Sequence, residues 1–157
     1  MNFIHCDHSE AHLSLHDCMA EGAYFRDGVL GFECKDGFWI APDHPENGLS
    51  ACVKTDASRV EYVLHRGEDC DVTVYVFKDN FLRQTVRHEW SVRKLTDEIN
   101  SGKYKLEFLY QYTDGNARIV QCELHCERKP YFRECLLYLY APQVRYFWNE
   151  LREDRPW

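Results

Sequence analysis

The sequence predicts a mainly β fold, an antiparallel β-sandwich or curled barrel of about nine to ten short strands with one helix near residues 91–101. Three observations carry this. Gly-containing turn signals recur between short runs of aromatic and β-branched residues. Several of those runs alternate apolar and polar with a period of two. Only one stretch shows helical spacing between a start and a stop signal. A helix packed on a large antiparallel sheet is the alternative arrangement.

The chain of 157 residues fits one domain spanning 1–157, with a flexible start over 1–10 and a flexible tail over 152–157. At this length a domain buries ~70% of the surface its unfolded chain exposes, so it needs no covalent staples. The opening segment HCDHSEAHLSLHDC, from His5 to Cys18, admits two readings. As a helix it would line up His5, His8, His12 and His16 with neighbouring Cβ atoms ~5–6 Å apart, a credible zinc face. As a strand it separates residues four apart by ~13 Å, too far to share an ion. Leu13 and Leu15 alternate with His12, Ser14 and His16, which favours a strand over 12–18. That strand buries the leucines and shows His12 and His16 on the other side. No metal or other cofactor is therefore expected.

From Ala23 a meander begins. RDG at 26–28 and KDG at 35–37 place Gly28 and Gly37 at positive-φ turn positions around VLGFEC, and FWIA follows. PDHPENG at 42–48 is a loop, because two prolines and a glycine cannot sit inside a ladder. RVEYVLH sets Val60, Tyr62 and Leu64 against Glu61, Val63 and His65; DVTVYVF sets Val72, Val74 and Val76 on one face. LRQTVRHEW is the most polar strand and reads as an edge. Ser91 then serves as an N-cap, Val92, Leu95 and Ile99 form an i, i+3, i+7 stripe, and Gly102 ends the helix. KLEFLYQY, the DGN turn at 114–116, RIVQCELHCE and RECLLYLY return to strand. QVRYFWNEL fits either state by pattern, and the running meander favours strand.

Composition narrows the function classes. A net charge of −7 opposes sequence-independent attachment to phosphate backbones or anionic lipid, so neither nucleic acid nor membrane is the expected partner. Arg83, Arg87, Arg93 and Lys94 are the nearest thing to a basic patch, and Glu89, Asp97 and Glu98 dilute it. The first ten residues lack the charge and apolar core of a secretory signal, and no run approaches a membrane span, so the cytoplasm is the expected setting. There most of the eight cysteines should be thiols, and none is spaced C-x-x-C. Cys34, Cys122, Cys126 and Cys135 read as small buried hydrophobes. Cys70, among acidic neighbours, reads as exposed and a poor nucleophile. Phosphate-loop, dinucleotide and nucleophile-elbow motifs are missing. Glu33, Glu61, Glu107 and Glu123 lie mid-strand, each the outward polar half of an alternating run.

Aromatic residues are 15% of the chain, and some fall on faces that alternation does not assign to the core. Leu136, Tyr138 and Tyr140 share one face of RECLLYLY, and Trp39 adjoins the 42–48 loop. The expected function is a non-enzymatic interaction module, of the immunity or inhibitor kind, binding another protein through an aromatic and acidic sheet face. The residues singled out are Trp39, Tyr138, Tyr140, His12 and His16, and no catalytic residue is assigned. A small-ligand or carbohydrate-binding β-domain is the alternative, and a metal-dependent enzyme using the N-terminal histidines comes third.

Overall fold

The computed structural model describes residues 2–82 and 84–156. Turn chemistry sets the rhythm of the chain. Asp27 and Gly28, with φ of 52° and 75°, close the hairpin between β4 (Gly22–Arg26) and β5 (Val29–Cys34), the two-residue turn whose twist matches its strands. At Gly37 φ is 73°, and a Cβ there would lie 2.1 Å from the Thr55 carbonyl oxygen, so no other residue fits that turn.

Among the described residues the chain forms fifteen strands, ten of them five residues or longer, with one α-helix and one 3-10 turn. Five are short additions of two or three residues: β1 (His5–Asp7), β2 (Leu13–Ser14), β3 (Cys18–Ala20), β6 (Trp39–Ile40) and β7 (Val53–Thr55). Besides β4 and β5, the others are β8 (Ser58–Val63), β9 (Val72–Asp79), β10 (Thr85–Trp90), β11 (Lys105–Asp114), β12 (Ala117–His125), β13 (Phe132–Tyr140), β14 (Gln143–Trp148) and β15 (Leu151–Pro156). They build three antiparallel sheets, ordered β1-β14-β8-β5-β4, β10-β9-β13-β12-β11-β3 and β15-β7-β6-β2. No sheet closes into a barrel among the described residues, so the sandwich half of the expectation holds. No described helix is long and apolar enough to cross a membrane.

One apolar cluster draws on all three sheets. Phe32 of β5 meets Phe108 of β11 edge to face at 5.3 Å, and Phe38 packs on Tyr146 and Trp148 of β14 at 5.3 and 5.7 Å. On the six-stranded sheet the buried half of the alternation is Val72, Val74, Val76, Leu106, Phe108, Val120, Cys122, Leu124, Cys135, Leu137 and Leu139. Among the described residues, nothing comparable covers its other face.

The helix α1 (Val92–Asn100) is capped as its sequence implies: Ser91 Oγ accepts from the Lys94 amide, and Gly102 has φ 75° just past the end. Val92, Leu95, Thr96 and Ile99 are buried. Its last residue does a second job. Asn100 Oδ1 accepts from the Ala23 amide at 2.9 Å while its Nδ2 donates to the Ala23 carbonyl at 2.7 Å, so a side-chain amide pairs with β4 where that strand is a sheet edge. The polar β10 is the opposite kind of edge, exposed along its first five residues.

One expectation needs correction. The strand over 12–18 is broken: β2 and β3 are separated by a turn in which Cys18 N donates to Leu15 O and Asp17 adopts φ 57°. Aspartate tolerates that left-handed conformation, so the period-two pattern gives way there. Near the start, His5, Cys6 and Asp7 pair with Trp148, Phe147 and Tyr146. Near the end, Arg152 and Pro156 pair with Lys54 and Val53; Trp157 lies outside the described residues. Residues 143–148 are strand, as the meander implied.

Leu95 is fully buried, and Leu95→Ala should cost roughly 2–5 kcal/mol as a core truncation. Urea unfolding checks this, and a loss under about half a kcal/mol would place the helix loosely on the sheet. Acid should also unfold the protein through named carboxylates. Burial acts to raise Asp7, but hydrogen bonds from the Ser9 amide and His44 outweigh it and hold the group below its ordinary 3.8. Hydrogen bonds from Lys105 and Lys35 lower Glu21 below 4.5. A lowered folded-state pKa contributes stability present above the ordinary value and lost as pH falls through the folded one. The melting temperature should therefore begin to drop near pH 4.5 and keep dropping below 3.8, less steeply in Asp7→Asn.

Candidate functional site: an open tyrosine and glutamate face

The β11–β12 hairpin decides what the uncovered face carries. Its register runs Lys105↔His125, Leu106↔Leu124, Glu107↔Glu123 and Phe108↔Cys122, then jumps to Tyr110↔Gln121, leaving Leu109 as the extra residue of a β-bulge. Plain alternation over KLEFLYQY would put Leu106, Phe108, Tyr110 and Tyr112 on one face. The bulge reverses the last two. Tyr110 and Tyr112 turn outward and Gln111 turns inward, opposite Val120.

Once inside, Gln111 is engaged through both its oxygen and its nitrogen. Its Oε1 accepts from the Tyr62 hydroxyl at 2.9 Å and its Nε2 donates to Glu10 Oε2 at 2.7 Å. The same carboxylate oxygen accepts from Arg118 Nη1 at 2.5 Å, and Arg118 Nε donates to the Ala141 carbonyl at 2.9 Å. A buried guanidinium is tolerated because its Nε and Nη1 hydrogens are used. Beside this network lies a cavity of about 310 Å³ lined in part by Glu10, Ser14, His16, Tyr110, Gln111 and Thr113.

Outside, the ladder sets side chains in rows. Tyr112, Ile119, Tyr138 and Thr73 form one; Tyr110, Gln121, Leu136, Tyr75 and Glu89 the next; Glu107, Glu123 and Glu134 a third. Tyr110 (53%), Tyr112 (60%), Tyr138 (39%), Tyr140 (43%) and Ile119 (36%) are solvent-exposed, which makes this an apolar surface that no layer of the described residues covers. The tyrosines stand on paired strands. Tyr138 meets Tyr75 edge to face at 5.6 Å, and Arg87 lies 4.4 Å over the Tyr75 ring. His125 closes the acidic row, with Nε2 2.7 Å from Glu107 and 3.3 Å from Glu123.

The residues singled out from sequence do not form one group. Tyr138 and Tyr140 lie on the open face, and the His16 ring meets Tyr110 edge to face at 5.2 Å. His12 instead lies 3.0 Å from Asp43, and Trp39 sits in the four-stranded sheet beneath the Lys54 ammonium at 5.2 Å. The N-terminal histidines do not gather as the metal alternative requires: His5 stacks on Trp148, His12 and His16 pair with different aspartates, and His8 contacts Gln143. Sequence reasoning missed Tyr110, Tyr112 and the Glu107, Glu123, His125 group. The first two are hidden by the bulge, and the third depends on a cross-strand register that no single strand encodes.

All eight cysteines are free thiols. Burial pushes Cys18 and Cys135 up to about 12 and raises Cys34 and Cys122 as well, so none of these is a thiolate nucleophile near neutral pH. Cys126 departs from expectation. It is half-buried just beyond β12, its thiol 3.1 Å from the carbonyls of Arg128 and Pro130. Arg83 of the diluted basic group lies outside the described residues, and Lys94 lies over the Trp90 ring at 4.7 Å. Comparison with protein-family models, curated proteins and solved structures finds no match, so the reading of this surface rests on its own geometry and chemistry.

Proposed function

We propose that this chain is a non-enzymatic interaction module that holds a basic protein partner against the outer face of its six-stranded sheet. The observation that supports this is the uncovered set Tyr110, Tyr112, Ile119, Tyr138 and Tyr140 beside the row Glu107, Glu123 and Glu134. Tyrosine gives a large contact area for little side-chain entropy, and its ring attracts arginine. The glutamates and the net charge of −7 favour encounter with a cationic surface and disfavour acidic ones. An inhibitor or immunity-type protein works this way, by occupying another protein. The cytoplasm is its proposed setting, where eight thiols stay reduced.

One observation favours a second reading. The cavity beside Glu10, His16 and Tyr110 suits a small polar ligand, a sugar among them, with an aromatic ring on one wall.

Fluorescence anisotropy with labelled arginine-rich, lysine-rich and glutamate-rich peptides tests the first reading. The arginine peptides should bind best and the glutamate peptides not measurably. Tyr112→Ala combined with Tyr138→Ala should weaken arginine-peptide binding about tenfold, the sum of two exposed cation–π contacts, with little change in melting temperature. Equal binding by the double variant would contradict this docking face. A melting temperature raised by a monosaccharide panel, and lost in His16→Ala, would favour the cavity.

A further inference from the structure

The third row of the open face poses a problem that the hairpin alone does not solve. Glu107 and Glu123 are directly opposite across β11 and β12, and Glu134 is directly opposite Glu123 across β12 and β13. Like charges placed so destabilise a sheet. Among the described residues no lysine or arginine forms an ion pair with any of the three; His125 is the ion-pair partner of Glu107 and Glu123. Lys105, the cation opposite His125 in the register, is turned away onto Glu21.

The donor set is more specific than an acidic patch. One imidazole nitrogen and two carboxylate oxygens lie within 4.8 Å of one another. All three side chains are about two-thirds covered or more, with 34%, 22% and 29% exposed for His125, Glu107 and Glu123. Their backbones are fixed by ladder pairing, so the set is presented on rigid elements. Zinc takes nitrogen at ~2.0–2.1 Å and carboxylate oxygen at ~2.0–2.2 Å in a tetrahedron, which puts its ligands about 3.3 Å apart. The His125–Glu123 separation is already 3.3 Å, and the His125–Glu107 separation of 2.7 Å needs a small side-chain rotation to match.

We propose that Glu107, Glu123 and His125 form a binding site for a divalent transition-metal ion, zinc above all. The ion would take the place of the imidazole proton between the two carboxylates. Imidazole selects zinc, copper or nickel over magnesium and calcium, which prefer oxygen alone. The three ligands stand on an open face, so the remaining position is left to water or to Glu134. The site does not hold the fold together, because its ligands lie on the uncovered side of the sheet, away from the apolar core. The proposal does not depend on the docking reading of the same face.

Isothermal titration of tag-free, EDTA-treated and dialysed full-length protein provides the test, with zinc chloride and magnesium chloride titrated separately. One zinc per chain should bind, and magnesium should give no heat. Glu123→Gln and His125→Ala should each weaken zinc binding at least about tenfold, while a variant with His5, His8, His12 and His16 all changed to alanine keeps it. Circular dichroism establishes that each variant is folded. If His125→Ala does not fold, the anomalous signal at the zinc edge in crystals of the wild-type protein locates the ion directly. Absence of zinc binding, binding unchanged in folded His125→Ala or Glu123→Gln, or an ion found elsewhere would overturn the proposal.

Discussion

The extra residue at Leu109 is the constraint on which the arrangement of this protein depends. Below it, β11 buries Leu106 and Phe108 and shows Lys105 and Glu107. Above it the order is inverted, so that an amide goes in and two tyrosines come out. An inward amide on a sandwich interface needs partners for its oxygen and nitrogen, or it costs about 1–3 kcal/mol in lost hydrogen bonding. Tyr62 reaches it from the five-stranded sheet and Glu10 from the N-terminal segment, and Arg118 then balances Glu10. A local irregularity in one hairpin thereby ties two sheets and the start of the chain together.

The same bulge composes the outer surface. Without it Tyr110 and Tyr112 would belong to the core, and the open face would hold Tyr138, Tyr140 and Ile119 with polar neighbours. With it, the tyrosines of β11 stand level with Ile119, Tyr138 and Tyr75 along two rows. The glutamate row lies on the side of the bulge where alternation is undisturbed, and there register alone brings Glu107 opposite Glu123. Apolar contact, acidic charge and a candidate metal-ligand set are thus three outcomes of one register on one sheet.

Much of the framework was legible because its signals are local. Gly28 and Gly37 announce their turns by the φ they must adopt, and Ser91, Leu95 and Gly102 mark a helix start, stripe and stop within twelve residues. The polar run 85–90 reads as an edge because only an edge leaves both faces wet. What stayed hidden is non-local or an exception to period two. No feature of KLEFLYQY distinguishes a bulged strand from a regular one, since a leucine is welcome in either. Asp17 breaks 12–18 through a backbone conformation that aspartate permits without requiring it. Glu107 and Glu123 each look like an ordinary outward residue until the ladder sets them face to face. Cys126 follows the strand pattern in sequence but falls one residue past the strand's end.

The most direct measurement of this account is tyrosine nitration of the folded protein, mapped by mass spectrometry. Tyr110 and Tyr112 should be modified as fast as Tyr138 and Tyr140, while Tyr62 and Tyr146, buried between the sheets, stay protected until the protein unfolds. Protection of Tyr110 and Tyr112 alongside Tyr62 would mean that β11 keeps its alternation without a bulge. The open tyrosine face, and the inward Gln111 network with it, would then not exist.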